Sequence, residues 1–254
     1  MKPKHVVVIG SGSAIGQAVA EKLAVHQITV SGISRTPVQS HSSFAHAHAV
    51  DYATADWLGL FQQLQSASGL PIDAVLHAPG YAAIGPALTI PESEARQMLE
   101  VNFWLLSNVA RAAATHWSSQ KQAGHFWAVL SIAALRGIPE ESYYCAAKAA
   151  AARFLECLDL ENRQAGRHFN YFCPGKFASP FRSKSARFGQ GASEDSGGST
   201  VDFVARKISS AILSQKPVKV IGWRENAIAL ADRLFPHLYD RLVLDRRVKP
   251  PTQS

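Results

Sequence analysis

In the stretch SYYCAAKAAAARF, Ser142 to Phe154, a tyrosine and a lysine stand four positions apart among alanines. The stretch has no Gly or Pro and is rich in good helix formers, which predicts a helix. On a helix, Tyr144 and Lys148 at i and i+4 share one face. Two chemistries are open to such a pair. It is an ordinary surface contact, or the ammonium is there to favour the phenolate. A free tyrosine has a pKa of about 10, too high for an efficient base near neutrality. A nearby cation lowers it, and three units require roughly 4 kcal/mol of differential interaction. Tyr143 is a rival phenol, but it lies five residues from Lys148 and on a different face.

A second set of residues lies near the start of the chain. VVVIGSGSAIGQAV places Gly10, Gly12 and Gly16, with Ser11, Ser13, Ala14 and Ile15 between them, at a strand-turn-helix junction. Glycines there let the backbone turn tightly and approach a pyrophosphate, which then sits on a helix N-terminus. The spacing is GxGxxxG rather than the common GxGxxG. The plainer reading is a turn that needs positive φ and nothing more. The next strand ends GISRTP, with Ser34 followed by Arg35 where an NAD site carries an acid. A guanidinium grips a 2′-phosphate that a carboxylate would repel, so the pattern argues for NADP(H). An exposed loop arginine is the alternative. Asp51, closing the third strand, has the acceptor for an adenine amino group, or it caps a turn.

These residues need elements to hold them. Short apolar runs at 5–10, 28–34, 46–51, 73–80, 125–134, 169–175 and 218–223 read as strands. Helical patterns alternate with them at 15–26, 54–67, 91–117, 142–161 and 200–214. A last helix is broken near Pro236. The alternation predicts an α/β fold, a single Rossmann-like doubly wound domain over residues 1–254. It would have about seven parallel strands and helices on both faces. Ligands in such sheets bind beyond the carboxyl ends of the strands, where each residue named above falls or begins the following helix.

Composition excludes several classes. Of 254 residues, 47% are hydrophobic, enough for a sizeable core and against wholesale disorder. The net charge is +7, but Lys and Arg are scattered and no nucleic-acid motif accompanies them. The three cysteines have no CxxC or metal spacing, and the ten histidines form no HExxH set. No GxSxG elbow marks a serine hydrolase. The N-terminal apolar run is too short for a signal peptide, and none approaches the roughly 18 residues of a membrane span. A soluble, cytoplasmic protein is expected.

Taken together, the sequence resembles a short-chain dehydrogenase/reductase over nearly its whole length. The family's Tyr-x-x-x-Lys is matched by Tyr144 and Lys148. Its serine is matched by Ser131 in VLSIAALRG, 13 positions before the tyrosine, and its helix asparagine by Asn102 in EVNFWLLSN. Its Pro-Gly is Pro174-Gly175, with Ser179 where a threonine is common. Two motifs depart. The turn TGxxxGxG reads Ile9, Gly10, Ala14 and Gly16, and Asn-Asn-Ala-Gly reads His77-Ala78-Pro79-Gly80. The resemblance implies hydride transfer between a nicotinamide and a carbonyl or alcohol. Tyr144 would be the acid and base, Lys148 would tune it and hold the nicotinamide ribose, and Ser131 would hold the substrate oxygen. Asn102 would hold a relay water. Ala78 and Gly80 would line the cofactor cleft and Pro174-Gly175 the nicotinamide wall. The resemblance also implies a lid near 178–198 and a homodimer or homotetramer built on the long helices. No metal is required. The departures motivate one alternative, a non-catalytic dinucleotide-binding sensor or scaffold. The amphipathic last helices could cover the pocket, join a subunit interface or touch a membrane surface.

Overall fold

The computed structural model describes residues 2–37, 43–179, 181, 185–188, 198–217, 219–222, 226, 227, 230 and 234. Strand β1 (His5–Ile9) is buried along its whole length. Its residues alternate between two apolar layers, Val7 and Ile9 on one side and Val6 and Val8 on the other. A strand apolar on both sides belongs at the centre of a covered sheet, and β1 is found there. The parallel sheet runs β11-β7-β6-β4-β1-β2-β3. Its other strands are β2 (Thr29–Ser34), β3 (His46–Ala49), β4 (Ala74–His77), β6 (Gly124–Val129), β7 (Arg167–Pro174) and β11 (Val220–Ile221). This is the expected doubly wound architecture. The chain builds outward from β1 to β3, then returns to lay β4 on the other side of β1. That reversal opens a crevice between β1 and β4 at their carboxyl ends.

Three helices cover one face: α2 (Trp57–Ser68), α4 (Leu105–Ser119) and α5 (Ser142–Asn162). Helices α1 (Ala14–Ala24) and α6 (Val201–Ser214) cover the other. The helix expected over 91–117 is not continuous. It is divided into α3 (Glu92–Leu99), a π-helical turn over Glu100–Trp104, and α4. Asn102 lies inside the π turn. Its Nδ2 donates to the Met98 carbonyl at 2.9 Å and to the Tyr81 carbonyl at 2.6 Å, while its Oδ1 accepts from the Tyr81 N–H at 3.2 Å. A side chain that serves both its own helix and a neighbouring segment accompanies this wide turn, and such turns favour functional sites.

Short ladders complete the carboxyl end of the sheet. Strand β5 (Ala83–Ile84) pairs with β9 (Ala186–Arg187), and β8 (Phe177–Ala178) pairs with β10 (Ser199–Thr200). Of the expected lid, only 178, 179, 181, 185–188 and 198 are described, and the expected helix break near Pro236 lies outside the described residues. Of the strand expected over 218–223, Val220–Ile221 is seen, with 218 and 223 outside the described set.

Candidate active site

The crevice begins at the glycine turn. Gly10 has φ +82°, a conformation that side-chain-bearing residues rarely adopt. Its N–H and that of Ser11 both donate to the Ile33 carbonyl at the end of β2, at 2.8 and 3.2 Å. Ser13 caps α1: its Oγ accepts from the Gly16 N–H at 3.1 Å and donates to the Gly10 carbonyl at 2.7 Å. A Cβ on Gly16 would stand 2.5 Å from the Gly10 oxygen, so only glycine closes this turn. The N–H groups of Ala14 and Ile15, in the first turn of α1, have no acceptor within the helix. Gly12 is more open, with Ser34 Cβ 3.7 Å from its own Cβ position. The turn therefore presents bare backbone and a helix N-terminus, a fit for a dinucleotide's pyrophosphate. Ala14, where the resembled motif has glycine, does not prevent the turn from forming. Pro79 packs on Gly10, with its nitrogen 3.1 Å from the Gly10 Cβ position.

The ends of β2 and β3, where the adenosine is expected, are laid out more loosely. Ser34 Oγ donates to the Thr36 carbonyl at 2.6 Å. Arg35 is exposed just beyond β2. Asp51, also exposed, accepts from the Ala53 N–H at 2.9 Å, so one carboxylate oxygen caps a turn. Tyr52 places its hydroxyl 3.3 Å from the Ile33 carbonyl, and burial pushes its pKa up to about 12.

The other side of the crevice is buried. Tyr144, Lys148 and Asn102 are 7%, 2% and 0% exposed. Lys148 Nζ stands 5.6 Å from the centre of the Tyr144 ring and donates to the Val129 carbonyl at 3.4 Å. Burial pushes its pKa down to about 8. The Cys173 charge that would oppose this is absent near neutrality, because burial holds that thiol up to about 12. Asn102 and Lys148 meet across Gly80: a Cβ there would lie 3.4 Å from Asn102 Oδ1 and 3.6 Å from Lys148 Nζ. Ser131 follows the end of β6 and caps a 3₁₀ turn at Ile132–Ala134, its Oγ accepting from the Ala133 N–H at 3.2 Å. Pro174 closes β7 beside Ile221, with Gly175 next in the chain. Ala78 is anchored by its N–H to the Ile9 carbonyl at 3.0 Å.

Two residues acquire a place that their types alone did not reveal. Tyr81 is bracketed through its backbone by Asn102, and its hydroxyl donates to Glu94. An aromatic directly after Gly80 was the available signal. His77, one of the departures, is 1% exposed and stacks on Phe126 with ring centres 6.3 Å apart. Burial foremost, then the Lys148 charge, pushes its pKa down to about 3, so the ring is neutral. Among the described residues no cluster of three or more His, Cys, Asp or Glu could hold a metal.

The chain belongs to the short chain dehydrogenase family, whose model matches residues 4–188. The probable oxidoreductase EphD of Mycobacterium tuberculosis H37Rv is 26% identical over 255 residues. That match covers 91% of this chain, which spans only 43% of EphD's length. A short chain dehydrogenase from Burkholderia cenocepacia J2315, solved in complex with NADP, superposes with a TM-score of 0.76. It covers 98% of this chain and 99% of its own, at 18% identity. A short-chain dehydrogenase from Streptomyces avermitilis gives 0.78 over 98% and 100%, at 19% identity. At these identities the likeness is one of fold.

Proposed function

We propose that the chain is an NADP(H)-dependent oxidoreductase that interconverts a carbonyl and an alcohol, with Tyr144 as acid and base. The observation that carries this is the buried Lys148 ammonium 5.6 Å from the Tyr144 ring centre. A cation that close to the ring favours the phenolate over the phenol. When bound, NADP(H) supplies or accepts the hydride. Tyr144 gives a proton to the substrate oxygen, or takes one from it, and Ser131 holds that oxygen by its hydroxyl. Lys148 keeps the phenol's acidity near the working range and binds the nicotinamide ribose. Asn102, whose described hydrogen bonds run to backbone, fixes Tyr81 and faces Lys148 across Gly80, the place for a relay water.

The glycine turn, with Gly10, Ser11, Gly12, Ser13, Ala14, Ile15 and Gly16, takes the pyrophosphate. Ala78, Gly80, Pro174 and Gly175 wall the nicotinamide side, and Ser34, Arg35 and Asp51 receive the adenosine. Exposed Arg35 after β2, together with the NADP bound in the Burkholderia structure, supports the phosphorylated cofactor. Among the described residues no helix is long and apolar enough to cross a membrane. Free thiols at Cys145, Cys157 and Cys173 favour a cytoplasmic setting. Exposed Trp104 and Leu160 favour a homodimer or homotetramer, which light scattering would resolve.

The deciding experiment pairs cofactor binding with turnover. NADPH should bind more tightly than NADH and be oxidised when a ketone is added. Tight NADPH binding with no turnover over a broad ketone and alcohol panel would instead mark a dinucleotide sensor.

A further inference from the structure

We propose that His77 is a positioning residue for Tyr144 and Lys148: a bare ring nitrogen of His77, turned toward Lys148, keeps that buried ammonium protonated. This rests on the oxidoreductase reading above and deepens it. His77 closes β4, where the resembled motif has its first asparagine. The residue is 1% exposed, and neither ring nitrogen has a hydrogen-bond partner among the described residues. Buried polar atoms are paired in the great majority of cases. Two unpaired nitrogens beside a proposed reacting group therefore call for a physical reason.

The ring lies in the core layer over which Lys148 is set. It stacks on Phe126, which belongs to the same apolar cluster as Ala128, Ala151 and Ala152. Ala151 and Ala152 stand one turn beyond Lys148 on α5. His77 and Ala128 are partners across β4 and β6. The next residue, Val129, supplies the carbonyl that accepts from Lys148 Nζ at 3.4 Å. From the other side, a Cβ on Gly80, three residues after His77, would lie 3.6 Å from the same Nζ. The ammonium thus sits between the strand paired with His77 and the loop that follows His77.

Lys148 needs such a neighbour. Its bond to Val129 is long, and burial pushes its pKa down to about 8. Losing that proton would remove the charge that acts on Tyr144. Among the described residues, the titratable groups facing it are Tyr144 on its own helix, Cys173 on β7 and His77 on β4. Asn102 faces it from the π turn without charge. The Cys173 thiol is held up to about 12, so it is neutral and supplies no counter-charge. His77 is neutral too, because burial and the Lys148 charge both oppose a protonated ring. A neutral imidazole has its proton on one nitrogen and a lone pair on the other. The Lys148 charge favours the tautomer whose lone pair points at it. That dipole, across space or through one bridging water, favours the ammonium and opposes the burial that would strip its proton.

Carbon NMR of labelled lysine ε-carbons, with Lys148→Met to assign the signal, reads the Lys148 titration directly. His77→Leu removes both nitrogens and should lower the Lys148 midpoint by about one unit. His77→Asn returns a polar acceptor and should recover roughly half of that shift. The alkaline limb of kcat should move down together with the midpoint. A packing role would lower the thermal midpoint of His77→Leu and leave both titrations in place, which overturns the proposal. A midpoint that rises in His77→Leu, or that falls equally in His77→Asn, also overturns it. If His77→Leu does not fold, nitrogen NMR of the unmodified His77 ring decides. It should show a single neutral tautomer whose proportion changes in Lys148→Met, and the same tautomer pattern in both proteins overturns the proposal. If no ketone or alcohol turns over, the oxidoreductase reading fails, and the Lys148 midpoints and the ring tautomer still decide what His77 does.

Discussion

The two halves of the crevice are built on different principles. On the side proposed for the reaction, Asn102, Tyr144 and Lys148 are buried, and the side chains of Asn102 and Lys148 meet at Gly80. On the side proposed for the adenosine, the turn at Gly10–Gly16 is held through backbone, and Arg35 and Asp51 stand exposed at the ends of neighbouring strands. On the proposed mechanism, side-chain identity matters where the chemistry depends on one oxygen and one nitrogen. Backbone shape tolerates substitution, and Ala14 within a formed turn illustrates it. Departures from the family's pattern accordingly fall in the second kind of region and at its border, in His77-Ala78-Pro79.

The sharpest way to break this contrast is Tyr144→Phe. Loss of the proton donor should reduce kcat by about 10³-fold while NADPH affinity, measured by fluorescence titration, stays the same. Equal loss of binding would show that the two halves are not separable. Next is Arg35→Ala. Removing charge-assisted hydrogen bonds should weaken NADPH about 10- to 100-fold and leave NADH unaffected, as read by calorimetry. An unchanged ratio would place cofactor selection elsewhere. Gly16→Ala tests the backbone half. Its Cβ would fall 2.5 Å from the Gly10 oxygen. It should cost about 1–3 kcal/mol in denaturant unfolding and weaken both cofactors together.

The smallest effect is acid sensitivity. Burial foremost pushes His125, on β6, down to about 4, and His77 down to about 3. The unfolded chain binds these protons near the ordinary 6.5. Their contribution to stability is therefore full above 6.5 and is lost as pH falls from there toward 4. The thermal midpoint should drop by a few degrees across that window, and His125→Gln should flatten the drop. An identical slope in the variant would remove His125 from the explanation.

Much of this was legible from residue order. Strands with both faces apolar, such as His5–Ile9, and the alanine-rich helix at Ser142–Asn162 are specified locally by period and propensity. The break at Glu100–Trp104 was not. Nothing between Pro91 and Trp117 forbids a continuous helix, and the π turn accompanies a bond from Asn102 to Tyr81, 21 residues earlier in the chain. Two-residue ladders such as β5–β9 were also invisible, because so short a pairing has no periodicity and depends on the chain returning to the crevice. The pairing of Tyr144 with Lys148 could be read from spacing. The ring contact of Phe181 with Tyr144 could not, since it joins distant segments.

The central claim is that the Lys148 cation makes Tyr144 an acid at working pH. The most direct measurement is the pH titration of phenolate absorbance in the NADP⁺ complex, taken as the difference between the unmodified protein and Tyr144→Phe. The account predicts one phenolate forming below the ordinary tyrosine value of about 10. A difference spectrum with no phenolate below that ordinary value would contradict it.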